Sequence, residues 1–148
     1  MSIQDSIRDA NRDAMREKNE VKKNAIRSVL SGFTTMLVAR GRKPTDSVSD
    51  EDALAVIKGE VKKRKDSIIQ FRKGGREELA GNEEDELVYL LPLLPAEPTE
   101  DEVRAIVIQK RTELGEQEKN IGILIGAVMK EFGGNADGNT VRKIASEG

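Results

Sequence analysis

The chain has 148 residues, enough for one domain or two small ones, and a compact fold of that size buries about 70% of the surface its unfolded chain exposes. Aromatic residues make up 3% and charged residues 35%, so a core must be assembled from Leu, Ile, Val, Ala and Met on elements with strongly solvated outer faces. The chain contains no cysteine and no histidine and has a formal net charge of −2, which excludes disulfides, thiolate catalysis, sulfur-ligated metals and histidine-based acid–base relays. No metal centre or cofactor is expected, and only carboxylates, Lys, Ser, Thr and Tyr89 remain as chemical groups.

Taken in chain order, Ser2 caps a helix over about 3–18, with Ile3, Ile7, Ala10, Ala14 and Met15 at helical spacing. A second helix starts near Glu20, its apolar stripe running from Val21 through Ala25, Ile26, Val29, Leu30, Phe33 and Met36 to Leu37, and it ends before Gly41. After a loop with Pro44, Ser49 and Asp52 form a cap onto which Val48 staples. The third helix runs to about Lys73 along a seam of Leu54, Ile57, Val61, Arg64, Ile68 and Phe71. Gly74 and Gly75 stop it. A fourth helix, 76–91, turns Leu79, Leu87, Leu90 and Leu91 inward as the antiparallel partner of the third.

Pro92, Pro95 and Pro98 then forbid continuous helix, which sets a boundary between residues 1–96 and 97–148. Thr99 with Glu102 restarts a helix to about Leu114, carrying Val103, Ile106 and Val107. Asn120 caps a short apolar helix, 121–132, and Asp137 caps the last one, with Val141 and Ile144 inward. The expected fold is all-α: an N-terminal helical domain containing an antiparallel hairpin, followed by a three-helix domain. The amino terminus lacks an apolar run of signal-peptide length, and the longest apolar stretch, Ile121 to Met129, is too short to span a bilayer. A cytoplasmic location without membrane contact is therefore the default expectation.

The net charge conceals polarity along the chain. Residues 1–73 hold 17 Lys and Arg against 11 Asp and Glu (+6), residues 74–102 hold 1 against 10 (−9), and residues 103–148 hold 7 against 6 (+1). On the third helix Lys58, Lys62, Lys65 and Arg72 share roughly one face, a footprint for a phosphate backbone or else a solvated stripe neutralised by Glu83 to Glu86. Arg64 falls on the apolar seam, where a guanidinium needs a carboxylate, so a structural ion pair with Glu83 or Glu86 is expected. Lys22 and Arg27 add positive charge to the second helix, but no aromatic residues interleave to stack bases.

In the last third, Gly122 and Gly126 share a helical face and permit close approach of another helix or of an RNA backbone. The glycine-rich segment 133–138 is not a phosphate loop, since it lacks the lysine–hydroxyl ending and Asp137 already supplies negative charge at the helix start. The only nucleophile candidates are serines paired with lysines, such as Ser67 beside Lys63 at helical spacing.

The run from Lys62 to Ala80, followed by Glu83 to Pro95 and by Gly126 to Gly138 with Val141, resembles the YqeY family over nearly the whole chain. The segment Gly126 to Gly138 is also similar to the carboxy-terminal tail of GatB, a component of the glutamine-dependent aminoacyl-tRNA amidotransferase. Against that pattern, Ile121 to Ile125 is more apolar than usual, while Lys119 and Lys130 remain as candidate phosphate contacts and Arg142 and Lys143 extend the positive side of the last helix. The resemblance implies a tRNA-binding or amidotransferase-associated accessory protein, with tRNA as partner and the amidotransferase or an aminoacyl-tRNA synthetase as further partners. The family is placed under carbon–nitrogen ligase activity with glutamine as amido donor, but the tail holds no chemistry, so no catalytic residue carries over. A helical protein-interaction adaptor is the alternative, and a self-sufficient amidotransferase using Ser67 and Lys63 is a minor reading.

Overall fold

The computed structural model describes residues 2–115 and 120–147, and every regular element among them is helical. The chain divides into two compact units, Met1–Leu94 and Pro95–Gly148.

Unit 1 contains α1 (Ile3–Glu17), α2 (Glu20–Ala39), α3 (Asp50–Lys73) and α4 (Glu77–Leu90), closed by a single 3-10 turn at Leu91–Leu93. Short-range chemistry sets the helix starts. Ser2, Asn19 and Ser49 each accept a backbone N–H from the first turn, which satisfies an otherwise orphaned donor. Between α1 and α2, Lys18 takes the left-handed conformation at φ 55° that lets the chain reverse within two residues. The core joins Ile7 and Ala14 of α1, Ile26, Val29, Phe33 and Leu37 of α2, Ile57 and Val61 of α3, and Leu90 of α4. Val48, the expected staple, is buried, and its amide donates to the buried Gln4 Oε1 at 3.0 Å.

On α4 the inward face differs from the expected one. Leu79 and Leu91 are exposed, whereas Ala80 and Leu90 are fully buried and Leu87 partly so. Ala80, Leu87 and Leu90 recur at helical spacing, while Leu79 stands in the opening turn of the helix and stays outside the core. Leu91 falls in the tighter turn ahead of Pro92 and so leaves the face. Met15 and Val21, placed at the edges of the expected stripes on α1 and α2, are likewise exposed.

Unit 2 contains α5 (Glu100–Leu114), α6 (Ile121–Glu131) and α7 (Gly138–Ser146) around Val103, Val107, Leu124, Val128, Val141 and Ile144. A full capping box at Thr99 and Glu102 starts α5, while Asn120 and Asp137 cap α6 and α7. The ends are tied by Arg111 donating to the Ala145 carbonyl, by Arg104 with Glu147 at 3.3 Å and by Lys110 with Glu131 at 3.1 Å. Among the described residues no helix is long and apolar enough to cross a membrane.

Candidate nucleic-acid interface

The cations of α3 fall into two populations. On the inner side Arg64 is 6% exposed, its Nη1 lies 2.6 Å from Glu60 Oε2 and its Nε lies 3.6 Å from Glu86 Oε2. Glu86 thus meets the sequence-based expectation for a partner, while Glu60, four residues back on the same helix, takes the place given to Glu83. Spacing accounts for this: a carboxylate one helical turn before an arginine reaches its fork without any help from tertiary structure. Nearer the hairpin, Arg72 pairs with Glu77 and Glu84 of α4.

Three carboxylates of α4, those of Glu77, Glu84 and Glu86, are therefore engaged with arginines, and none of the three is paired with Lys62, Lys63 or Lys65 of α3. Lys62, Lys63 and Lys65 are exposed and have no ion-pair partner among the described residues. A planar guanidinium suits a fixed, partly buried carboxylate, whereas an ammonium is more strongly hydrated and stays at the surface. Lys58 is half-buried on the same side of the helix.

A groove extends this basic surface onto α2. The two helices approach at Gly32, where an added Cβ would stand 2.7 Å from Val56 Cγ1, so a side chain there would force them apart. Beside this contact a groove of about 640 Å³ is lined by Asn24, Arg27, Ser31 and Thr35 from α2 and by Glu60 and Lys63 from α3. A second, shallower depression of about 530 Å³ follows the outer face of α3 past Lys62, Lys63, Asp66 and Ser67. Ser67 and Lys63, the candidate nucleophile and base, thus line a shared surface with Asp66 and Gln70, and among the described residues no hydrogen bond or ion pair joins any two of these side chains.

The remaining candidates separate. Lys22 turns to Glu17 across the α1–α2 junction at 3.3 Å and so is drawn away from Arg27. Lys119 lies outside the described residues. In unit 2, Gly122 and Gly126 are exposed, and a Cβ at Gly126 would meet nothing within 4 Å, so no helix of this unit uses their close approach. Ile121 and Ile123 are exposed beside them. Lys130, Arg142 and Lys143 are exposed and carry no ion pair among the described residues. Asp137 accepts from Asn139 N and from Thr140 Oγ1, so the glycine-rich segment closes on its own cap.

Sequence reasoning overlooked Asn24, Ser31, Thr35 and the groove role of Lys63. A readable signal existed, since Asn24, Arg27, Ser31 and Thr35 recur at steps of three and four on the side of α2 away from its apolar stripe.

The chain resembles the yeast protein called altered inheritance of mitochondria protein 41, mitochondrial. It is 28% identical to the Saccharomyces cerevisiae form over 77% of this chain and 63% of that protein. It is 34% identical to the Kluyveromyces lactis form over 72% and 57%, and 31% identical to the Vanderwaltozyma polyspora form over 87% and 66%. The chain thus spans less than two thirds of the length of these curated relatives. Their names correct the expected cytoplasmic location, because they are mitochondrial proteins. Lack of a spanning helix or signal-like run does not distinguish one aqueous compartment from another, so that expectation had no physical support. The model of the Yqey-like protein family matches residues 4–147, and the chain belongs to that family.

Proposed function

We propose that this chain is an RNA-binding accessory protein whose RNA is tRNA, acting beside amide transfer on misacylated tRNA rather than catalysing it. The observation that supports this is a set of exposed cations without an ion pair among the described residues: Arg27, Lys62, Lys63 and Lys65 in unit 1. Lys130, Arg142 and Lys143 form a second such set in unit 2, in and beside the stretch that resembles the tRNA-binding tail of GatB. Exposed cations facing solvent bind polyanions through counterion release, which makes affinity depend steeply on salt.

Titration of labelled tRNA at 50 and 200 mM salt tests the reading. Four neutralised phosphates give a fall in affinity of about a hundredfold between the two conditions. Absence of binding at the lower salt, or binding indifferent to salt, disproves it. The adaptor reading draws support from Ile121 and Ile123, exposed at 45% and 46% on α6. It gains ground if Ile123→Asp abolishes capture of a protein partner while tRNA binding is unchanged.

A further inference from the structure

We infer that the groove between α2 and α3 is the seat of one phosphodiester strand, held by its backbone and not by its bases. This rests on the RNA reading and specifies where unit 1 meets the nucleic acid.

The donors form a row. Asn24, Arg27, Ser31 and Thr35 follow one another along α2 at three- and four-residue steps, which the helical rise converts into intervals of about 5–6 Å. Successive phosphates of a single strand recur on the same scale, so consecutive anionic groups meet consecutive donors. Lys63 adds a cation from α3 to the same groove. A mononucleotide would leave most of the row unused.

The row is also available. Among the described residues Arg27 and Lys63 have no carboxylate partner, and the side chains of Asn24, Ser31 and Thr35 carry no intramolecular hydrogen bond. One hydroxyl of the groove is already used, since Ser28 donates to the Asn24 carbonyl at 3.2 Å, as Thr34 outside the groove does to the Leu30 carbonyl at 3.4 Å. The one acid in the groove, Glu60, is held 2.6 Å from the buried Arg64 guanidinium, which it shares with Glu86, so its charge is partly compensated and its repulsion of a phosphate reduced. No aromatic side chain lines the groove, which removes base stacking and leaves contacts that position a strand without reading its sequence.

The test uses the full chain with three probes: labelled tRNA, a labelled twelve-residue oligouridine and inorganic tripolyphosphate. The variant Arg27→Ala/Lys63→Ala should weaken oligouridine binding about tenfold and lower the salt slope by about two. Ser31→Asp, which keeps both cations but opposes the phosphate, should show a comparable loss. The charge-matched variant Arg8→Ala/Arg16→Ala, on exposed positions of α1 outside the groove, should keep the wild-type slope. All these side chains are exposed, and unchanged thermal midpoints verify that the variants fold. If the wild type binds tRNA but the groove variants match it, or the α1 variant loses as much, the groove inference falls and the RNA reading stands. If the wild type binds neither RNA, both fall. Binding of tripolyphosphate alone also overturns the strand assignment.

Discussion

The two units solve the same problem, a small helical core, with different materials. Unit 1 buries polar groups within its helix junctions: Gln4 against the Val48 amide and Arg64 against Glu60 and Glu86. Unit 2 buries only apolar side chains among its described residues and places its ion pairs on the outside. A buried polar group is satisfied in one arrangement and costly in others, so it specifies how helices meet even where it adds little net stability. The small helices of unit 2 rely instead on shape complementarity and on caps. Damage to a polar partner should therefore be severe in unit 1, and damage to a methyl group should be the severe event in unit 2.

The largest effect expected is at Arg64. Replacing it with alanine leaves Glu60 and Glu86 facing each other in a partly buried site, and the loss should be about 3 kcal/mol by urea denaturation of the whole chain. A cost under about 1 kcal/mol would mean that water compensates the carboxylates, and the contrast between the units would collapse. The triple variant Glu60→Leu/Arg64→Met/Glu86→Leu should recover most of the loss, because removing all partners leaves no charge unpaired.

For unit 2 the corresponding variant is Val128→Ala at a fully buried position of α6. Removing two methyl groups from a core with few members should cost about 2 kcal/mol. Amide hydrogen exchange is the measurement: protection in α5, α6 and α7 should fall while that of α2 and α3 stays near the wild-type value. Equal loss in both units would show that they open as one cooperative body.

Legibility in the sequence follows the range of the forces involved. Helix limits were readable because Ser2, Ser49, Thr99, Asn120 and Asp137 act on amides within their own first turn. Arg64 could be recognised as buried from its place on the seam, and the local periodicity that placed it there also contained Glu60, four residues earlier. Leu79 was misplaced because hydrophobicity alone does not say which of two adjacent residues, Leu79 or Ala80, faces the neighbouring helix where close approach favours the smaller one. The groove was beyond reach for a different reason. Its polar row on α2 is a sequence pattern, but its pairing with Lys63 depends on the register in which α2 and α3 meet, fixed by the fit of Gly32 against Val56.

The smallest effects distinguish the units by pH. In unit 1 the Arg40 guanidinium, 2.7 Å from Asp52, holds that carboxyl below its ordinary 3.8, with partial burial acting in the opposite direction and a hydrogen bond with Ser49 assisting. A carboxyl lowered on folding stabilises the native state above its unfolded value, and that contribution is lost as pH falls through the native one. The gap between wild type and Asp52→Asn should therefore be present at pH 7, stay under about 1 kcal/mol as an exposed pair must, and close below 3.8. In unit 2 the order reverses for Lys110, which Glu131 and then Glu113 hold above the ordinary 10.5. Its contribution is complete below 10.5 and is lost as pH rises through the raised value, so the gap between wild type and Lys110→Met should close only in strong alkali. Glu113, lowered first by Gln109 and then by Lys110, adds an acid-side loss in the same unit. Exchange protection followed separately in α3 and α5 across the pH range reads both limbs. An alkaline loss in α3 abolished by Asp52→Asn, or an alkaline loss in α5 left unchanged by Lys110→Met, would show that these surface pairs do not govern the titration of their units.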